Sequence, residues 1–282
     1  MLVSMKELLQ KAEEGNYAVG GFNCPTLEMV YAVVHAAETC GKPVILSFPQ
    51  VHEKTVPLKV IGPILLQAAK EASVPICVHL DHGSSLDYIR QALEIGFKSV
   101  MYDGSRHRLE ENIENTKAVV KMASGYDADV EAELGGISGD EAGISTGEAT
   151  PVSKLTDPDE AVRFVEETRI NSLAASIGTA HGFYTEAPKI DFDRIDEIHR
   201  RTGIPLVMHG GSGVSEEDYA IAIGKGIRKI NYYSYMAKAG VDGVKKLMAD
   251  KDVKYFHEIS IAAMKEMEKD VENAVNLFHS GE

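Results

Sequence analysis

Short apolar runs rich in β-branched residues recur along the chain, each followed by a polar or glycine-containing turn and then by a helical pattern. The runs fall at residues 17–22, 43–48, 75–80, 99–102, 129–134, 172–177, 205–209 and 227–231. Many are apolar almost throughout, as strands buried on both faces should be. Between them, residues 26–41 carry Leu27, Val30, Val33, Val34 and Ala37 at helical spacing, and residues 85–95 carry Leu86, Ile89 and Leu93. Residues 215–224 open with Ser215, Glu216, Glu217 and Asp218, a hydroxyl followed by acids at the positive end of a helix. Eight strands alternating with helices predict an α/β fold, a TIM (β/α)8 barrel, with residues 1–282 as a single domain carrying a C-terminal helical extension. A doubly wound open sheet is the rival, but eight complete β/α units favour closure.

Two stretches break the repeat. Residues 135–155, GGISGDEAGISTGEATPVSKL, are rich in Gly and Ser and have no apolar periodicity. A loop of this length inside a compact domain is expected to be functional. After residue 235 the pattern is helical and longer than one barrel helix needs, long enough to reach over a neighbouring subunit.

Composition narrows the partners. With 44% hydrophobic and 26% charged residues among 282, the balance is that of a soluble globular protein. No apolar run reaches the ~18 residues of a membrane span, and Met1-Leu2-Val3-Ser4-Met5-Lys6-Glu7 lacks the basic flank and apolar stretch expected of a signal peptide. Cys24, Cys40 and Cys77 are widely spaced and odd in number, which predicts reduced thiols and a cytoplasmic setting. The net charge of -14 argues against nucleic acid or anionic membrane as partners. A phosphorylated small substrate stays open, because backbone amides and a metal bind phosphate locally.

In a barrel of this kind the chemistry lies at the C-terminal ends of the strands. The predicted ends carry Asn23, then Asp81 and His82, then Asp103, then Glu131 and Glu133, then His181, His209 and Asn231. Three of these are histidines followed by glycine: His82-Gly83, His181-Gly182 and His209-Gly210. Three imidazoles suit a divalent transition metal, Zn2+ foremost, with an open position for a substrate oxygen. The glycines let backbone and ligand approach closely. One histidine at a strand end is an ordinary capping residue; three in one barrel, beside carboxylates, make a metal site the better reading. His35, His52, His107, His199, His257 and His279 lack this context and read as surface or helix-packing residues. In VHLDHGSS, residues 78–85, a regular strand puts His79 and Asp81 on one face and His82 on the other. His82 is therefore the ligand, and His79 belongs to the barrel interior or supports the ligands from behind. Gly83 is expected to give room for substrate. HGGSG, residues 209–213, offers amides just before a helix, a candidate phosphate cradle. No lysine stands at a strand end with an evident role, which weighs against Schiff-base chemistry.

The segments VHLDHGSS, SVMYDGS, EENIENTKAVV, VEAELGG, SIGTAHGFY, PLVMHGGSG and KIN, in this order, resemble the class II, metal-dependent fructose-bisphosphate aldolases and the related tagatose-bisphosphate aldolases. The similarity runs from about residue 3 to about residue 231. It implies a TIM barrel that cleaves a ketose phosphate reversibly to dihydroxyacetone phosphate and an aldehyde. Zn2+ held by His82, His181 and His209 would polarise the ketone and stabilise the enediolate. Asp81 would move the proton of the C4 hydroxyl. Glu141, with Asp140 as the fallback, would exchange the C1 proton of the donor. Asp103 and Glu133 would lie near a second divalent metal position. Asn23, Gly182, Gly210, Gly211, Ser212, Asn231 and Ser234 would bind substrate, the donor phosphate above all, with a monovalent cation (Na+ or K+) nearby. A homodimer or homotetramer is implied as well.

The resemblance thins at the far end of the substrate. Tyr233 stands where the family has a small or acidic residue that helps read ketose stereochemistry. Ala237 replaces an arginine that contacts the distal phosphate across a subunit interface, and Lys238 beside it points elsewhere on a helix. Pro49 replaces a serine, and the C-terminal NLFHSGE lacks a basic residue. These departures predict intact donor chemistry with an altered acceptor: a ketose 1-phosphate, or a bisphosphate other than fructose 1,6-bisphosphate. That other residues hold the same distal phosphate is the alternative. The competing functions are a metal-dependent TIM-barrel hydrolase, which leaves the HGGSG turn unexplained, and a non-catalytic sugar-phosphate-binding protein, which leaves the carboxylates beside the histidines unexplained.

Overall fold

The computed structural model describes residues 1–139 and 154–281. In chain order its strands are β1 (Val19–Asn23), β2 (Val44–Pro49), β3 (Ile76–Gly83), β4 (Ser99–Tyr102), β5 (Asp129–Leu134), β6 (Ser138–Gly139), β7 (Ser172–Ala175), β8 (Ala180–His181), β9 (Leu206–Met208) and β10 (Ile227–Tyr232). Eight of them close a parallel barrel in the order β1-β10-β9-β7-β5-β4-β3-β2, while β6 and β8 pair separately. The helices are α1 (Met5–Gly15), α2 (Leu27–Cys40), α3 (Leu58–Glu71), α4 (Leu86–Ile95), α5 (Leu109–Ser124), α6 (Pro158–Thr168), α7 (Phe192–Thr202), α8 (Glu216–Gly224), α9 (Ser234–Asp250) and α10 (Phe256–Phe278). The expected closed barrel and all eight expected strands are present.

Local chemistry explains the boundaries. Thr26, Ser85 and Ser215 each accept an amide hydrogen bond from the first turn of the helix they precede, a contribution of about 1 kcal/mol apiece. Gly41, Gly96 and Gly203 end α2, α4 and α7 in the left-handed conformation.

Two-residue alternation sorts the barrel residues. One set, including Phe22, Leu46, Leu80, Val100, Ala132, Leu173, Met208 and Ile230, joins the helices in the main apolar core. The alternate set faces the barrel axis. Near the strand starts it holds Val19, Ile45 and Cys77, which pack with Met5, Leu8, Leu9 and Ala12 of α1, so this helix closes that end. Further along come His79, Met101, Glu131, Ala174, Val207 and Lys229, all buried. At the strand ends the same parity delivers Asn23, Asp81, Glu133 and Asn231.

The C-terminal extension is two helices. The buried face of α10, with Met267, Val271, Ala274, Val275 and Phe278, lies against α2 and α9, and the Phe278 carbonyl accepts the Ala18 amide at 2.9 Å.

Candidate active site

Strand β3 does not stay regular. Its pairing with β4 slips between Leu80 and Gly83, and His82 adopts φ +46°. Regular alternation would turn Asp81 inward and His82 outward; the break brings both to the same cleft. A left-handed non-glycine residue costs about 1–2 kcal/mol, which the surrounding packing must offset. Gly83 has a different role from the expected one. A Cβ there would lie 2.6 Å from the Met101 carbonyl oxygen and 2.8 Å from Ile89 Cγ1, so the glycine permits packing rather than making room for substrate.

His181 is not on a barrel strand. It sits on β8, paired with Gly139 of β6, so the extension past β5 and the extension past β7 form a small ladder over the mouth. Tyr184 ties this ladder to the segment after β9: its hydroxyl accepts the Ala180 amide at 2.9 Å and donates to the Gly210 carbonyl at 2.7 Å. Gly210 has φ +64°, and a Cβ there would lie 2.2 Å from the Ala180 carbonyl oxygen. His209 follows β9 directly.

The three histidines converge. Their ring centroids are 4.6 Å (His82–His209), 5.1 Å (His82–His181) and 5.8 Å (His181–His209) apart. Hydrogen bonds fix how two of them point. His209 Nε2 lies 3.0 Å from Glu131 Oε1, and His82 Nδ1 lies 3.2 Å from Asp103 Oδ2. An ionised carboxylate only accepts, so each of these nitrogens carries the proton and donates. The remaining nitrogens, His209 Nδ1 and His82 Nε2, face each other at 2.9 Å. Two lone pairs so placed call for a cation. His181 Nε2 is buried and has no hydrogen-bond partner, and the three residues bring ligand atoms within 4.8 Å of one another. Burial, followed by the neighbouring His82, holds the His181 and His209 imidazoles well below the ordinary histidine range, so both are neutral and ready to ligate. This donor set fits a divalent transition metal.

Carboxylates surround the histidines. Burial alone would raise the Asp103 carboxyl; the bond and charge of His82 and two bonds from Ser105 outweigh it and hold Asp103 well below the usual range. His82, Asp103 and Glu133, with ligand atoms within 4.8 Å of one another, form a second cluster that could hold a metal ion. Asp81 is fixed by Asn231, whose Nδ2 lies 3.2 Å from both carboxylate oxygens.

The cleft is lined by Asn23, Asp81, His82, His181, Gly182, Gly210, Ser212, Asn231, Tyr232, Tyr233 and Ser234. Most of the residues expected to touch substrate are therefore together. Gly211 is the exception: its amide donates to the Asn231 carbonyl at 3.0 Å, so the HGGSG turn offers fewer amides than its sequence implies. The Ser212 hydroxyl accepts the amides of Tyr233 and Ser234 at 2.9 and 3.1 Å, capping the start of α9. Glu141 and Asp140 lie outside the described residues.

Three features escaped the sequence reading. His52, read as a surface or helix-packing residue, is buried, neither ring nitrogen has a hydrogen-bond partner, and its ring packs 5.6 Å from Tyr233 at the cleft. Tyr184 ends the segment SIGTAHGFY, but nothing in that segment marks its hydroxyl as a tie between two loops. Lys229 is fully buried in the barrel, bonded to Glu131. Strand parity could have found it, since Lys229 shares a face with Asn231 as Glu131 does with Glu133.

A closed (β/α)8 barrel whose strand ends gather neutral imidazoles and buried carboxylates around one cleft is the arrangement of a metal-dependent TIM-barrel enzyme. The family model for class-II fructose-bisphosphate aldolases matches residues 3–282. The sulfofructosephosphate aldolase of Alkalicoccus urumqiensis is 37% identical over 279 residues, covering 99% of this chain and 96% of that protein. The 6-phospho-5-dehydro-2-deoxy-D-gluconate aldolase of Halalkalibacterium halodurans is 37% identical over 288 aligned positions, with the same coverage of 99% and 96%. The crystal structure of the YdjI aldolase from Escherichia coli K12 superposes with a TM-score of 0.87 at 32% identity, covering 99% of this chain and 97% of that one. The chain belongs to the class II fructose-bisphosphate aldolase family and is an aldolase, a carbon–carbon lyase.

Proposed function

We propose that the protein is a Zn2+-dependent aldolase that cleaves a ketose phosphate reversibly into dihydroxyacetone phosphate and an aldehyde. The facing lone pairs of His82 Nε2 and His209 Nδ1, 2.9 Å apart above a buried Asp81, carry this reading. Zn2+ held by His82, His181 and His209 supplies a Lewis acid for the substrate's ketone, the electron sink that retro-aldol cleavage needs. Asp81 takes the proton of the C4 hydroxyl. As that oxygen becomes the aldehyde carbonyl, the C3–C4 bond breaks and its electron pair stays with the three-carbon donor. Asn231 keeps the Asp81 carboxylate aimed into the cleft. Glu141, or Asp140, is assigned the proton that returns to the donor carbon. The donor phosphate is assigned to Gly182, Gly210, Ser212 and Ser234, with Asn23 alongside and a monovalent cation nearby. Having accepted two amides, Ser212 keeps its own proton to donate to a phosphate oxygen. A second divalent ion is assigned to His82, Asp103 and Glu133. A cytoplasmic homodimer or homotetramer completes the reading.

At the acceptor end we assign a group other than phosphate, so that the substrate is a ketose 1-phosphate. No lysine or arginine is among the described residues lining the cleft, and residues 140–153 contain none. Tyr233 lines the cleft with its ring against His52. Two relatives at 37% identity are named for substrates other than fructose 1,6-bisphosphate, which agrees with an altered acceptor. The test is cleavage of a panel of ketose phosphates by chelator-treated and Zn2+-reloaded protein. EDTA-sensitive release of dihydroxyacetone phosphate is expected. Fructose 1,6-bisphosphate cleavage at about 10⁴ M⁻¹s⁻¹ or more would sink the acceptor assignment. Activity that survives EDTA and is lost to borohydride would sink the metal assignment.

A further inference from the structure

Behind the metal histidines lies a third donor set. His79, Asp81 and Glu131 are all buried, and each offers a ligand atom within 4.8 Å of the others. A lysine already stands among them. Lys229 Nζ donates to Glu131 Oε2 at 2.7 Å and Oε1 at 3.0 Å, and reaches His79 Nε2 at 3.3 Å. An ammonium has three protons and no lone pair, so these three acceptors satisfy it fully. The same bookkeeping fixes His79: Nε2 must accept, and Nδ1 carries the proton toward Ser99 Oγ at 2.7 Å. His79 Nε2 is also 3.8 Å from Asp81 Oδ1. The barrel makes room for this lysine at Gly21, where a Cβ would come within 3.3 Å of Lys229 Cε.

We propose that the Lys229 ammonium is a built-in cation occupying a latent third metal site formed by His79, Asp81 and Glu131, and that it keeps this site closed to divalent metal. The charge argument is direct. Without Lys229 the set holds two buried carboxylates and one imidazole, a donor set suited to Zn2+. An ion bound there would claim Asp81 as a ligand and compete with His209 for Glu131. With Lys229 in place Glu131 is neutralised, its Oε1 stays available to the His209 Nε2 proton, and Asp81 is left to Asn231. The kinetic consequence rests on Asp81 being the proton carrier; the occupancy of the site does not.

The test counts Zn2+ by dialysis followed by elemental analysis. Lys229→Met keeps the apolar stem but is one atom shorter, which vacates the ammonium position. It is expected to bind one equivalent more than the unaltered protein, whatever number the latter holds, and His79→Phe added to it should return the count to the original. A folded Lys229→Met with no extra equivalent overturns the proposal. Should the variant fail to fold without metal, it and Lys229→Ala are refolded with Zn2+ present. Recovery with the extra equivalent supports the latent site, and failure of both to recover overturns it. A lysine serving only as an ion-pair partner would not change the stoichiometry. These counts are independent of cleavage, so they stand or fall separately from the aldolase reading.

Discussion

Chelating the metal and acidifying from about pH 7.5 to about pH 5.5 should weaken the folded state by a calculable amount. His79, His181 and His209 are buried, and desolvation, aided by Lys229 or neighbouring histidines, holds each imidazole well below its ordinary value of 6.5. The folded protein therefore leaves all three unprotonated across this range, while the unfolded chain protonates them. Below pH 6.5 the unfolded state binds more protons, so stability falls as pH falls. Integrated over those two units, each histidine contributes about 1.4 kcal/mol and the three together about 4 kcal/mol, a large fraction of an ordinary domain's stability. Asp103 is held well below the usual carboxylate range, so its stabilising effect is present above about pH 4 and lost only in more acidic solution; it does not mask the histidine slope. The assay is urea unfolding of the EDTA-treated protein at several pH values, followed by circular dichroism. Removing one member, as in His79→Gln, should take away about one third of the slope. A chelated protein whose stability is flat over this range would refute the reasoning, because the histidines would then be taking up protons while folded.

Further outcomes follow from the site geometry. Asp81→Asn is expected to lower kcat by about 10²–10⁴-fold with Zn2+ stoichiometry unchanged, as read by elemental analysis; loss of the metal instead would make Asp81 a ligand. Asp103→Ala should weaken Zn2+ binding by about 10–100-fold in chelator competition, because it removes the acceptor that fixes the His82 tautomer. Gly210→Ala forces a side chain into φ +64° and against the Ala180 carbonyl; thermal melting should show a loss of about 3 kcal/mol or more, and an unchanged melting temperature would mean that the turn can relax.

The sequence by itself determined the barrel. Its short, nearly continuous apolar runs alternate eight times with helices, which favours a closed barrel over an open sheet, and parity along each strand decides which residues face the axis. That rule put His79 and Asp81 on one face of β3, and the predicted strand ends already carried Glu133, His209 and Asn231. What parity could not decide is where the chain stops obeying it. His82 has outward parity and reaches the cleft only because β3 breaks at φ +46°; His181 arrives on a two-residue strand outside the barrel. Both depend on contacts distant in sequence, with Met101 in one case and with Gly139 and, through the Tyr184 hydroxyl, Gly210 in the other. Proton positions on His82 and His209 likewise follow from which carboxylate stands opposite, Asp103 or Glu131, and no local pattern encodes that pairing. Lys229 shows the limit most plainly. Read along the strand it is one of two adjacent charged residues, beside Arg228. Its burial becomes tolerable only when Glu131 and His79, from across the closed barrel, supply every hydrogen bond its ammonium can make.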